Sequence, residues 1–221
     1  MNPKQLVGEA AAAYVKDNMI VGLGTGSTAY FAIMKIGEMV KSGMKIQGVP
    51  TSKATEKLAL ELNIPLLAIS EVKKIDLTID GADEFDGNKN LIKGGGAALL
   101  REKIIASVTD FYIIIADAAK KSDVLGSFAL PVEVTPFAKE ITLMQLTALG
   151  CIAQFREKDG GLVITDNQNL IVDCQFDKIP NPAEMNMKIN QIPGVVENGL
   201  FTGMTDLIIS EDGKGGLIKL D

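Results

Sequence analysis

Apolar residues along this chain fall into two rhythms, short unbroken runs and helical recurrences, and the two alternate. Residues 5–15 (QLVGEAAAAYV) predict a helix, and the apolar run 19–23 predicts a buried strand. Residues 27–40 predict a helix carrying Phe31, Met34, Ile36 and Met39. A strand is expected over 45–49, then a helix over 51–62 in which Ala54, Leu58 and Leu62 recur at helical spacing. Further strands are expected over 64–69 and 75–79, a helix over 97–108 and a very apolar strand over 111–116. Strands alternating with helices at this spacing call for right-handed crossovers and a mainly parallel sheet.

Near Leu125 the rhythm changes. A strand is expected over 130–134, a helix over 136–149 with Pro136 in its first turn, and a strand over 151–156. Residues 162–165 and 170–173 flank the turn 166–169 and predict a hairpin. A helix after Pro182 and a strand over 194–201 complete a strand-helix-strand-strand-helix-strand order, which fits a small α+β module of the split βαβ type. The apolar run 204–210 is expected to return to the first sheet. The expected domains are 1–126 plus 203–221, and 127–202.

Composition changes the picture mainly by exclusion. The 221 residues include no histidine, which removes Ser-His-Asp and Cys-His catalysis and any HExxH zinc site. Proton transfer in such a chain rests on Asp, Glu, Lys or Tyr. Two cysteines, Cys151 and Cys174, are too few for a disulfide framework or a four-thiolate zinc site. A net charge of -6 argues against a general nucleic-acid surface. No apolar run is long enough to span a membrane and no signal-peptide pattern opens the chain, so the expected location is cytoplasmic.

Three segments carry candidate chemistry. In Gly22-Leu23-Gly24-Thr25-Gly26-Ser27-Thr28 a strand gives way to a helix through glycines and two hydroxyls, a cradle for a phosphate. It is neither the dinucleotide fingerprint nor a P-loop, and its plainer reading is a tight turn with Ser27 as N-cap. Asp80-Gly81-Ala82-Asp83-Glu84-Phe85-Asp86 follows a strand, where open parallel sheets bind ligands. Asp80 and Asp83 can converge there on sugar hydroxyls; a divalent cation or a solvated acidic turn are the alternatives, and EF-hand spacing is absent. In Lys93-Gly94-Gly95-Gly96 three glycines enter a helix at an entropic cost that close approach to a ligand would explain. Glu102 follows among Ala98, Leu99, Ile105 and Ala106, where partial desolvation would suit a general base. Arg101 and Lys103 have similarly apolar neighbours, so periodicity does not decide which of the three faces inward. Lys120 lies just beyond the apolar strand 111–116.

Taken together, GLGTGSTA (22–29), DGADEFD (80–86), KGGGAALLREK (93–103) and the run from IADAAK to LPVEV (115–134) resemble ribose-5-phosphate isomerase of the A type. The resemblance spans essentially the whole chain in order. It implies an α/β fold, a Rossmann-like mainly parallel sheet domain with a smaller ferredoxin-like α+β domain. It implies interconversion of ribose 5-phosphate and ribulose 5-phosphate, without metal or organic cofactor, by a homodimer or tetramer. Glu102 would be the base that moves a proton between C1 and C2. Asp80 and Asp83 would contact the sugar hydroxyls, with Gly81 and Ala82 beside them at the substrate. Lys93 and the amides of Gly94, Gly95 and Gly96 would steady the negative charge on oxygen. Thr25, Gly26, Ser27 and Thr28 match the substrate loop, and Lys120 the substrate-contacting lysine. Ala119 departs from the Ser or Thr common at that position. A histidine-free chain suits an isomerase with a carboxylate base and disfavours the related glucosamine-6-phosphate deaminases. The rival readings are a non-catalytic sugar-phosphate-sensing module and a CoA-transferase-like enzyme on a similar fold.

Overall fold

In the computed structural model, which describes residues 2–221, the short apolar runs line up as a six-stranded sheet. Its order is Leu217–Leu220, Leu207–Glu211, Tyr112–Ala116, Leu77–Gly81, Ile20–Leu23 and Gln47–Pro50. Every neighbouring pair is parallel except the Leu217–Leu220 edge, which is antiparallel. The run expected to return to the first sheet does so, since Leu207–Glu211 pairs with Tyr112–Ala116. Tyr112–Ala116 is fully buried along its whole length, as a strand covered on both faces must be. Helices Pro3–Ala12 and Ala29–Lys41 cover the sheet through Val7, Ala11, Ala32 and Ile36, which meet Val21, Leu23, Ile79 and Ile113. Each fully buried aliphatic side chain there contributes roughly 1.5–3 kcal/mol.

The chain divides into two compact units, Met1–Ala82, Arg101–Lys120 and Met204–Asp221 in one, Asp83–Leu100 and Lys121–Gly203 in the other. The second contains the strand-helix-strand-strand-helix-strand module. Its antiparallel sheet runs Val195–Asn198, Leu130–Val134, Leu170–Gln175 and Ile152–Phe155, with helices Lys139–Thr147 and Pro182–Asn190. This is the ferredoxin-like order, around a core of Val132, Val134, Leu146, Val172 and Ile189. A three-stranded sheet in the same unit joins Glu84–Phe85, Leu91–Ile92 and Leu200–Phe201.

Three expected elements differ. Residues 64–69 do not form a strand; Leu66 makes one isolated bridge to Gly48. Pro65 has no N–H to extend that pairing, and a 3-10 turn, Ile69–Glu71, follows at once. Residues 162–165 do not form one strand: Leu162 ends a short strand, Gly161–Leu162, that pairs with Glu157–Lys158, and Ile164 makes an isolated bridge to Leu170. The expected strand 194–201 is two strands, in different sheets, parted by Gly199. Gly199 donates its N–H to the Pro131 carbonyl at 2.8 Å and accepts the Lys93 N–H at 2.9 Å. No helix among the described residues is long and apolar enough to cross a membrane.

Candidate active site

Because the strands Ile20–Leu23, Gln47–Pro50, Leu77–Gly81 and Tyr112–Ala116 are parallel, the loops after them emerge along one sheet edge. The first unit therefore gathers the 24–28 loop, the 51–55 segment, Asp80–Ala82 and Lys120. Asp80 is fully buried and ties them together. Its Oδ1 accepts the N–H of Thr25 at 3.0 Å and of Gly81 at 2.7 Å, and its Oδ2 accepts the Tyr112 hydroxyl at 3.3 Å. Gly24 is required at this contact, since a Cβ there would lie 2.3 Å from Asp80 Oδ1 and 2.5 Å from its Cα. The Thr25 hydroxyl is held inward by Thr51 at 2.7 Å, Ser52 at 2.8 Å and Thr55 at 3.2 Å. Lys120 Nζ donates to the Ala82 carbonyl at 2.5 Å.

Ser27 is not a cap. The helix begins at Ala29 with Thr28 in the capping position, and neither hydroxyl bonds a first-turn N–H. The Ser27 Oγ instead accepts Lys4 Nζ at 2.9 Å, which brings a cation to an exposed loop hydroxyl. Glu102 resolves the ambiguity of its helix. It is 5% exposed while Arg101 and Lys103 stay partly exposed. Burial, then the negative charges of Asp80 and Glu102, hold the Tyr112 hydroxyl well above its ordinary pKa. Tyr112 is thus a proton donor to Asp80 at neutral pH, with Glu102 close enough to feel.

In the second unit the Lys93–Gly96 turn has its own supports. Lys93 is 2% exposed, with Nζ 5.4 Å from the centre of the Phe201 ring. Gly95 donates its N–H to Asp83 Oδ2 at 2.7 Å, and a Cβ on Gly95 would meet Asp83 Oδ1 at the same distance. Gly94 adopts φ 107°, a value that favours glycine, and its carbonyl accepts the Ala97 N–H at 2.9 Å.

The acidic motif 80–86 is neither a solvated turn nor a cation cage. Asp80 receives the Thr25 and Gly81 amides, Asp83 that of Gly95, Glu84 those of Gly126, Ser127 and Phe128, and Asp86 those of Asn88 and Asn90. Each carboxylate organises a different stretch of backbone. Among the described residues no group of three or more His, Cys, Asp or Glu is placed to hold a metal ion.

Sequence reasoning missed Lys4, Tyr112 and Arg156. Lys4 lies at the start of the first helix, Tyr112 reads as one more apolar strand residue and Arg156 as a strand-end cation; no spacing marks any of them. In the hydroxyl run Thr51, Ser52 and Thr55, Ser52 caps its helix through the Thr55 N–H at 3.1 Å, and no spacing marks the run as the clamp on Thr25.

Residues 47–215 match the family model for ribose 5-phosphate isomerase A (phosphoriboisomerase A). The ribose-5-phosphate isomerase A of Bacillus mycoides is 52% identical over 205 residues, covering 92% of this chain and 93% of that one. The ribose 5-phosphate isomerase of Plasmodium falciparum superposes with a TM-score of 0.95 at 39% identity, over 99% of this chain and 97% of the other. A D-ribose-5-phosphate isomerase solved in complex with phospho-erythronic acid gives a TM-score of 0.96 at 40% identity, with both chains covered completely. The chain belongs to the ribose 5-phosphate isomerase A family.

Proposed function

We propose that this protein interconverts D-ribose 5-phosphate and D-ribulose 5-phosphate, with Glu102 as the base. In the open-chain aldose Glu102 removes the proton on C2. The electron pair left behind forms the C1–C2 double bond, and the C1 carbonyl oxygen takes up negative charge. The O2 hydroxyl proton passes to O1, and the C2 carbonyl forms as Glu102 returns its proton to C1, which gives the ketose. One carboxylate that accepts and then donates a proton is sufficient for this chemistry. In the same reading Asp80 and Asp83, with Gly81 and Ala82, hold sugar hydroxyls and assist ring opening. Lys93 and the amides of Gly94, Gly95 and Gly96 stabilise the enediolate oxygen. Thr25, Gly26, Ser27, Thr28 and Lys120 hold the substrate, and Lys4 joins them at the phosphate end through Ser27.

The observation that carries this reading is the burial of the Glu102 carboxylate at 5% exposure beside Tyr112 and Asp80, in a chain that has no histidine to serve instead. That a relative was solved with phospho-erythronic acid, a sugar-acid phosphate, agrees with an anionic intermediate. The test is turnover of ribose 5-phosphate by Glu102→Gln. A loss of kcat of about 1000-fold or more with KM little changed is expected from the usual contribution of a positioned base and its orientation. Near-parental turnover would take the role from Glu102.

Self-association and a cytoplasmic site of action belong to the same reading. The helix Lys139–Thr147 turns Ile141 and Met144 outward, and Phe137 and Ile152 are exposed too. This is apolar surface that a second copy of the chain would cover.

A further inference from the structure

The turn read above as the oxyanion cradle is aimed by an arginine from the neighbouring sheet. Arg156 follows the strand Ile152–Phe155, and its guanidinium is fully engaged on two sides. Nε donates to Asp173 Oδ2 at 2.8 Å and Nη2 to Asp173 Oδ1 at 2.5 Å, a bidentate pair in which both side chains are largely buried. Nη1 donates to the Gly94 carbonyl at 2.8 Å and to the Gly95 carbonyl at 3.0 Å. Consecutive carbonyls bound by one nitrogen constrain two peptide planes at once. In a planar trans peptide the carbonyl of one residue and the N–H of the next point in opposite directions. Holding the Gly94 and Gly95 oxygens on Arg156 therefore drives the Gly95 and Gly96 N–H groups to the opposite side. The Gly95 N–H indeed meets Asp83 there, at 2.7 Å.

We propose that Arg156 is a positioning residue for the isomerisation. With Asp83 holding the Gly95 N–H, it fixes the turn and aims the Gly96 amide, and it polarises the Gly95–Gly96 peptide so that the Gly96 N–H is a stronger donor to the enediolate oxygen. Asp173 locks the guanidinium plane and balances its charge. Glycines leave the turn with little stiffness of its own, so an outside clamp supplies the preorganisation that oxyanion stabilisation needs. Lysine is no substitute, because a single ammonium does not bind a carboxylate bidentately while spanning two carbonyls. The inference rests on the reading of Gly94–Gly96 as the charge-stabilising turn.

The test combines Arg156→Ala and Arg156→Lys with added methylguanidinium and with phospho-erythronic acid as a probe of anion binding. Misaimed donors should lower kcat about 10- to 100-fold, somewhat less than outright removal of an oxyanion donor, with KM for ribose 5-phosphate within about two-fold. Methylguanidinium, and not methylammonium, should restore a large part of the kcat lost by Arg156→Ala. By calorimetry phospho-erythronic acid should bind both variants about 10-fold more weakly. Should Arg156→Ala not fold, Arg156→Lys decides through its kcat against KM and its calorimetric affinity. Either variant folded with parental kcat, or a kcat loss in folded Arg156→Ala that methylguanidinium leaves untouched, overturns the proposal. Glu102→Gln separates this from the underlying reading: an active Glu102→Gln protein removes the base, whatever the Arg156 variants do.

Discussion

Replacing Glu84 by glutamine should unfasten the second unit without touching any group assigned to substrate. Glu84 is 1% exposed and accepts four hydrogen bonds from one loop. Its Oε2 takes the N–H of Gly126 at 3.1 Å and of Phe128 at 3.0 Å, and its Oε1 takes the Ser127 N–H at 3.3 Å and hydroxyl at 2.7 Å. A glutamine does least harm with its NH2 at the Oε1 position, where the Ser127 hydroxyl can rotate and accept. Even then the Ser127 N–H loses its acceptor, and the two bonds at Oε2 change from charge-assisted to neutral. One lost charged hydrogen bond costs about 1.5–3 kcal/mol and each weakened one about 1 kcal/mol, while burying a neutral amide instead of an anion returns part of this. The expected net loss at pH 7 is about 2–3 kcal/mol.

The pH dependence gives the same prediction a second edge. Burial alone pushes the Glu84 carboxyl up, but the hydroxyls of Ser122 and Ser127 and the amides of Phe128 and Gly126 outweigh it and hold the group below its ordinary 4.5. A carboxyl with a depressed folded pKa adds stability that is complete above its unfolded pKa and is lost as pH falls through the folded one. The gap between the parent and Glu84→Gln should therefore be constant from pH 7 down to about 5 and close below about pH 4. Urea unfolding followed by circular dichroism at several pH values measures it, and hydrogen exchange of the Phe128 amide locates it. A loss under 0.5 kcal/mol (roughly the scatter of harmless surface changes), or a gap unaltered by acid, would refute the reasoning.

Two other substitutions test the first unit. Gly24→Ala forces a methyl against the Asp80 side chain and its Cα, so about 3 kcal/mol of stability and most of the turnover should go together, read by thermal melts and kcat; an unchanged melting temperature contradicts the contact. Lys4→Met keeps the apolar stem and removes the cation that reaches Ser27, so KM for ribose 5-phosphate should rise about five-fold with kcat nearly constant, and less at high salt; a fall in kcat at constant KM would place Lys4 outside phosphate binding.

What the sequence revealed and what it hid divide along physical lines. The alternation of apolar runs and helices was legible because each element is decided by neighbours a few residues away, and the parallel sheet follows from that alternation. The apolar run 64–69 misled because hydrophobicity does not show whether a ladder can form, and Pro65 interrupts it at the sheet margin. The two fates of 194–201 depend on Gly199 bonding Pro131 and Lys93, partners far away in the chain. Among the residues proposed for the site, glycines and acids announced themselves by type, but Arg156 and Lys4 did not, since an arginine at a strand end and a lysine at a helix start are ordinary. Glu102 became distinguishable from Arg101 and Lys103 only through packing.

The acidic motif shows why composition alone misjudges such a site. A chain of net charge -6 that places four carboxylates within seven residues looks ill suited to a phosphorylated, enediolate-forming substrate. Local bonding reverses that judgement. The Asp80 oxygens are met by the Thr25 and Gly81 amides and the Tyr112 hydroxyl, so the carboxylate draws the backbone of the 24–28 loop onto itself. Much of its field is answered by those dipoles before it reaches the loop's outer face, where Ser27 and Lys4 stand. In the second unit Asp83 does the same for Gly95, and Asp173 does so for Arg156, which holds the other face of that peptide. The acids thus act chiefly as anchors that fix the backbone, and the donors left over on that backbone, with a few lysines, are what an anion would meet. Net charge measures the carboxylates; the site is set by where their hydrogen bonds go.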